Sequence, residues 1–313
     1  MRTFSFLGGF SLGISIFLLG LKLLASSLES ALGHRLRPIL TRFTATKWQS
    51  LLAGAFSTCL IQSSSAVAST MVVLVHSGIL TLKQAFGIIL GANIGTTLTA
   101  QIIAFRLGNA ALPLMLAGLL VFIAGRTGAV GTALFALGSL FFGLTITTAT
   151  LSPLLQLPAV HILLTDFTRS PWQACLVGMV LTALVQSSSA VTGVVISLAH
   201  LGSISLPAAA GIALGSNVGT VVTTLLATVN RGRESKATAY ADLFFNLGGV
   251  LLILPFFGPF LGIIARISSD PARQIAHAHT VFNVITALLA LPFLENLAAL
   301  AWWWAGIRIA SKK

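Results

Sequence analysis

Charge is what this chain lacks. Asp, Glu, Lys and Arg make up 8% of its 313 residues, whereas soluble domains carry about 25%. That scarcity excludes an ordinary soluble globular protein. Only six residues are Asp or Glu, and only two are cysteines, Cys59 and Cys175. No His, Cys, Asp or Glu cluster has transition-metal spacing. The cysteines lie in apolar runs, as small buried hydrophobes rather than a disulfide. Period-two alternation in short strands is also missing, which excludes a membrane β-barrel.

What is present is apolar length. Hydrophobic residues are 56% of the chain, in recurring stretches of about 20, each able to span a bilayer core of about 30 Å. The fold class is an all-α polytopic membrane protein. The net charge of +12 comes from Lys and Arg in short loops, as the positive-inside rule expects. No basic patch is interleaved with aromatics, so nucleic acid is not expected as a partner. Phe4–Ala25 precedes small residues, as a signal peptide does. Its apolar run exceeds the roughly 7–15 residues of a signal core, so it reads as a retained span.

The chain repeats itself at an offset of 124 positions. Trp48-Gln49 matches Trp172-Gln173, and Gln62-Ser63-Ser64-Ser65-Ala66-Val67 matches Gln186-Ser187-Ser188-Ser189-Ala190-Val191. His76 and Gly78 match His200 and Gly202. Gly91, Asn93, Gly95, Thr96 and Thr99 match Gly215, Asn217, Gly219, Thr220 and Thr223. A weaker Phe-x-Leu-Gly echo links Phe10–Gly13 with Phe135–Gly138. Internal repeats with a site at their interface are typical of secondary transporters.

Trp48–Gly78 is apolar at both ends and polar in the middle. It reads either as one long span or as a re-entrant hairpin of two half-helices of about 20 Å each, too short to cross. Charge decides. With hairpins at 48–78 and 172–202, the spans fall near 4–25, 84–106, 109–125, 128–150, 207–229, 237–254, 255–267, 274–294 and 296–309. Amphipathic stretches at 27–46 and 152–169 would lie along the surface. One side then collects Arg35, Arg37, Arg42, Lys47, Lys83, Arg126, Arg231, Arg233, Lys236, Arg266, Arg273, Arg308, Lys312 and Lys313. The other keeps Arg2, Arg106 and Arg169. Full spans in place of hairpins scatter the charges. Three spans separate the two motifs, so the repeats are of inverted topology. The expected divisions are repeat 1 at 1–127, repeat 2 at 128–268 and C-terminal helices at 269–313, with the C-terminus cytoplasmic.

Polar backbone in a membrane must line protein or a wet cavity. A turn at the serines would start a half-helix there, whose free N–H groups and positive end favour an anion. Ser hydroxyls and Gln amides complete such a site. The candidates are Gln62, Ser63, Ser64, Ser65, Gln186, Ser187, Ser188 and Ser189. Gly91-Ala92-Asn93-Ile94-Gly95-Thr96-Thr97 and Gly215-Ser216-Asn217-Val218-Gly219-Thr220 have two readings. The glycines suit a helix-packing face. With Asn and Thr, the segments also suit a broken transmembrane helix whose freed carbonyls ligate Na⁺. Ser65, Asn93, Gly95, Thr96, Thr97, Ser189, Asn217, Gly219 and Thr220 are the candidate Na⁺ ligands. Asp242, an acid inside a span, is a functional candidate by default. With Asn246, His279 and Asn283 it forms an accessory set, because Asp242…Phe245-Asn246 recurs 37 residues later near Phe282-Asn283. Asn packing across helices explains those pairs equally well. An intramembrane hydrolase is disfavoured, since an enzyme needs one nucleophile beside its base rather than two inverted copies. No catalytic residue is assigned.

Twin Gln-Ser-Ser-Ser motifs, each followed by Gly-x-Asn-[Ile/Val]-Gly-Thr, resemble the type II sodium–phosphate cotransporter family in its bacterial form. His279-Thr280-x-Phe282-Asn283 resembles a later helix of that family. The resemblance covers about residues 5–295. It implies Na⁺-driven symport of inorganic phosphate across the bacterial inner membrane by alternating access, with no cofactor beyond Na⁺ as coupling ion. Phosphate, Na⁺ and lipid are the implied partners, with a homodimer left open. Carried over, Gln62–Ser65 and Gln186–Ser189 hold phosphate and help hold Na⁺. Asp242 stands where relatives often have His. The regulator-like C-terminal domain of some bacterial relatives is not in this sequence, so regulation through it is not expected. Na⁺-independent phosphate or oxyanion transport, export included, is the alternative reading. A channel or structural protein is a third.

Overall fold

The computed structural model describes residues 2–105, 107–125, 128–155, 162 and 168–310. Among these, regular structure is helical and no strand occurs. The helices are α1 (Arg2–Arg42), α2 (Lys47–Ile61), α3 (Ser64–His76), α4 (Leu82–Ala104), α5 (Ala111–Ile123) and α6 (Gly128–Leu154). They continue with α7 (Pro171–Val185), α8 (Ser188–His200), α9 (Leu206–Leu226), α10 (Arg233–Ile253), α11 (Phe257–Ile267), α12 (Pro271–Ala290) and α13 (Leu294–Ala310). Six segments are long and apolar enough to cross a membrane: Leu7–Leu28, Leu82–Ala104, Gly128–Leu151, Leu206–Leu226, Arg233–Ile267 and Pro271–Gly306. Residues 27–42 of the surface stretch expected at 27–46 are instead the unbroken continuation of α1. At Ser27 that helix still donates to the Ala129 carbonyl at the start of α6. Most of the 152–169 stretch, with Arg106, Arg126, Lys312 and Lys313, lies outside the described residues.

The two hairpins are built alike because their caps are alike. Thr46 caps α2 and Ser170 caps α7, each in a reciprocal capping box with Gln49 or Gln173, which satisfies two otherwise free N–H groups. Both arms end on a glutamine in the left-handed region, Gln62 at φ 57°, ψ 23° and Gln186 at φ 57°, ψ 27°. Their N–H groups donate 2.7 Å to Thr58 and Thr182 carbonyls. Ser63 and Ser187 then turn the chain as extended N-caps of α3 and α8, accepting 3.2 Å from Ala66 N–H and Ala190 N–H.

α4 and α9 are continuous helices through both Gly-x-Asn segments. This corrects the expected broken helices. Close packing is the reason. A Cβ on Gly91 would stand 1.8 Å from the Leu51 carbonyl oxygen, and one on Gly95 2.3 Å from that of Ala55. On Gly215 and Gly219 it would meet the Cys175 and Met179 oxygens at 1.9 and 2.4 Å. The glycines let α2 lie on α4, and α7 on α9, at backbone contact. The helix-packing reading of these glycines therefore holds.

Pro255 and Pro292 correct two further expectations. Both sit in Leu-Pro-Phe 3₁₀ turns, where a missing N–H lets the helix change direction. Lys83 at the start of α4 pairs with Glu295 at the start of α13. Farther along α13, the Trp302 carbonyl accepts 2.9 Å from Arg233, at the start of α10. Gly232, just before α10, lies close to His76 at the foot of α3. Thus α13 joins points on one side and does not cross, contrary to the span expected at 296–309. At the other end of α4, Arg273 lies over the Phe105 ring, 5.8 Å from its centre. α11 links the far end of α10 to that same end. Its 11 residues span only about 16 Å, so 255–267 does not cross either. Arg266 and Arg273 therefore lie opposite Lys83, not beside it. Two crossings are removed together, so the side expected for the C-terminus is unchanged.

In the middle of the bundle α10 packs on α3, α4 and α9, while α12 packs on α8, α9 and α4. The turns of both hairpins meet at one cavity, and α10 reaches Ser64 and Ser65 at a second through Asp242 and Asn246.

Candidate functional site

One cavity of about 50 Å³ is lined by Gln62, Ser63, Ser64, Ser65, Thr96, Gln186, Ser187, Ser188 and Ser189. All eight candidate anion ligands meet there, although 124 positions separate the two runs. The first turns of α3 and α8 both begin at this cavity. Two helix N-termini present free N–H groups and partial positive charge to one small volume, an arrangement suited to an anion. Left-handed glutamine at both turns costs roughly 1–2 kcal/mol each relative to an ordinary conformation. The surrounding capped arms hold that strain.

The halves are not identical. Gln62 is buried. Its Nε2 donates to the Cys59 carbonyl, and its Oε1 accepts 2.6 Å from Thr99. Gln186 is exposed. The counterpart of Thr99 is Thr223, whose hydroxyl is buried without a partner.

A second, smaller cavity of about 10 Å³ adjoins the first. It is lined by Ser64, Ser65, Ala68, Ala92, Asn93, Asn217, Thr220, Thr224, Asp242 and Asn246. Ser64 and Ser65 belong to both cavities. Of the candidate cation ligands, Ser65, Asn93, Asn217 and Thr220 line the second cavity, while Thr96 and Ser189 line the first. Gly95, Gly219 and Thr97 line neither. The two glycines face α2 and α7, and the Thr97 hydroxyl donates 2.8 Å to the Ile94 carbonyl. With both helices intact, no freed carbonyls are available at these positions.

The accessory set divides between the two sides of α9. Asp242 accepts 2.8 Å from Thr224 and 2.8 Å from Asn246 Nδ2. His279 Nε2 lies 3.0 Å from Asn217 Oδ1, and Asn283 Nδ2 donates 2.8 Å to the His279 carbonyl. Sequence reasoning missed Thr224 and Thr99. Thr224 was findable, because Thr220 and Thr224 fall three and seven positions after Asn217, on one helix face. Thr99 had only its place in the repeat.

The model of the family described as Na⁺/Pi-cotransporter matches residues 16–149 and 153–295. The chain belongs to the Na⁺/Pi-cotransporter family. This is a family of phosphate transporters, and its membership together with the six apolar segments makes the chain a multi-pass membrane protein. Among relatives, an uncharacterized Bacillus subtilis (strain 168) protein, YqeW, is 38% identical over 91% of this chain and 93% of its own. An Escherichia coli (strain K12) protein provisionally named an inorganic phosphate export protein, YjbB, is 27% identical over 91% of this chain. The present chain spans only 53% of that relative. The rat sodium-dependent phosphate transport protein 2A is 31% identical over 144 residues, 44% of this chain and 22% of its own. No solved structure matches the chain.

Proposed function

We propose that this Na⁺/Pi-cotransporter family member carries inorganic phosphate across the bacterial inner membrane, coupled to Na⁺, by alternating access. The convergence of both Gln-Ser-Ser-Ser turns on one cavity carries the reading. Phosphate sits between the α3 and α8 N-termini, held by N–H groups, serine hydroxyls and the two glutamine amides. Na⁺ occupies the adjoining oxygen-lined space and offsets phosphate charge. Repeats 1–127 and 128–268 are inverted copies, and the C-terminus is cytoplasmic.

The difference between the halves supports alternation. Gln62 is latched to Thr99 while Gln186 is free of Thr223, so one hairpin is closed onto its neighbour and the other is not. In the opposite state the roles exchange.

Labelled phosphate uptake into proteoliposomes tests this, with an imposed Na⁺ gradient against a K⁺ control. Uptake that follows the Na⁺ gradient is expected. Equal uptake in K⁺ removes the symport, and competition by equimolar sulfate makes the site a general oxyanion site. The provisional export name of the E. coli relative favours a second reading, efflux. Loss of phosphate from preloaded cells on expression separates the two directions.

A further inference from the structure

We propose that the cavity between α6 and the foot of α8 is a binding site for one acyl chain of a membrane phospholipid. The site lies apart from both polar cavities and does not depend on what they carry.

The lining comes first. The cavity measures about 390 Å³, within the range of about 300–1,000 Å³ of small-molecule sites. Its floor is Phe141 and Leu144, 1% and 8% exposed. Thr145 and Thr148 form one wall. Their hydroxyls donate 2.8 Å to the Phe141 and Leu144 carbonyls, four residues earlier in α6. Such back-bonding engages the hydroxyl within its own helix. Gly108, in the short 3₁₀ turn Gly108–Ala110, closes one end. A Cβ there would stand 3.0 Å from Thr145 Oγ1. Ala149, His200 and Leu201 make an exposed rim.

Depth and chemistry then narrow the occupant. The α6 residues of the cavity fall in the second half of Gly128–Leu151, a segment apolar enough to span the hydrocarbon core. At that depth an open cavity faces acyl chains rather than water. Water stays in a cavity only with about two to four polar partners. Both threonine hydroxyls are engaged, and His200 alone brings a further polar side chain to the lining. Phosphate and other small anions find no donor set there. α8 ends at His200 and the chain turns at Gly202, which puts this rim at a membrane surface. A histidine suits that level, with an apolar body and a polar tip. A phospholipid matches both ends: its chain lies over Phe141 and Leu144, and its headgroup stands by His200.

The position gives the lipid a role. Toward the start of α8, Val191, Val195 and Ile196 share one buried cluster with Phe17, Leu140 and Phe141. At the last turn of α8 that packing gives way to the cavity. A void against an apolar wall forfeits dispersion contacts on that side, and an acyl chain restores them. The lipid therefore braces the second hairpin, whose Gln186 turn lies at the other end of α8.

Photolabelling tests the proposal. The protein is reconstituted with a phospholipid that carries a diazirine midway along one acyl chain, exchanged into detergent and irradiated, so that only retained lipid reacts. Adducts are expected in the peptides bearing Phe141–Ala149 and His200–Leu201, several-fold above those on the exposed face of α5 at Leu116, Leu119 and Leu120. Ala149→Phe and Thr148→Leu, which fill the cavity from its rim and its wall, should each lose most of those adducts. Wild type stripped of lipid should regain melting temperature when phospholipid is returned, and Ala149→Phe should gain much less. Adducts spread evenly over α5 and the cavity peptides overturn the proposal, as does undiminished labelling in both filled variants. An equal thermal gain in Ala149→Phe overturns the bracing role. Displacement of the phospholipid by equimolar fatty acid overturns phospholipid as the occupant.

Discussion

Thr99 donates a 2.6 Å hydrogen bond to Gln62, while Thr223, at the matching place in the second half, has a buried hydroxyl with no partner. A buried hydrogen bond is worth about 1 kcal/mol net. Thr99→Val should therefore shift the population of closed first hairpins about fivefold. A cysteine at Ser63 is expected to react several-fold faster with a membrane-impermeant thiol reagent in the Thr99→Val background. Thr223→Val should leave that rate unchanged or lower it. An unchanged rate in Thr99→Val would mean the contact latches nothing.

Gln62→Ala and Gln186→Ala should each abolish phosphate uptake while the protein still inserts. The turn and the side chain can be separated, because glycine adopts the left-handed conformation without strain. Gln62→Gly is expected to be at least as stable as Gln62→Ala and equally inactive. Near-normal uptake in any of the three variants would count against a shared anion cavity.

The glycines of α4 and α9 distinguish packing from ion ligation. Gly91→Ala and Gly215→Ala place a methyl within 2 Å of a backbone oxygen. Overpacking of this kind costs about 1–3 kcal/mol or more, so both variants should lower the melting temperature in detergent and reduce expression. Gly248→Ala has nothing within 4 Å of the added methyl and should be neutral. Loss of Na⁺ dependence in Gly91→Ala at full thermal stability would instead restore a ligand role for this segment.

The corrected path of the last four helices predicts labelling sides. Cysteines at Gly78 and Glu295 should react from one face of the membrane, and cysteines at Gly202 and Arg273 from the other. The Lys83–Glu295 pair and the placement of Arg273 over Phe105, at opposite ends of the 23-residue α4, require it. Labelling of Arg273 and Gly78 from the same face would return α11 to the status of a crossing.

Much of the site was legible because it obeys local rules. Thr46 with Gln49 and Ser170 with Gln173 announce helix starts by capping chemistry alone. A Gln-Ser-Ser-Ser run inside an apolar segment announces an interruption, since polar backbone in lipid needs a purpose. Exact duplication announces that two such interruptions belong together. The meeting of the eight residues at one cavity agrees with that logic.

The sequence by itself determined the membrane class, the two hairpins, the caps and the eight residues that line the first cavity. Hydropathy, capping and repetition are properties of neighbours along the chain. Tertiary structure alone decided that Gly91 and Gly215 serve backbone contact rather than an unwound turn, because that depends on how near another helix comes. It decided that α11 and α13 turn back after their prolines, because a hydropathy window carries no direction. It also decided that Asp242 meets Thr224 and Asn246 at a second cavity while His279 takes the mirrored place. Which oxygens surround a buried charge is settled only when helices distant in sequence pack together.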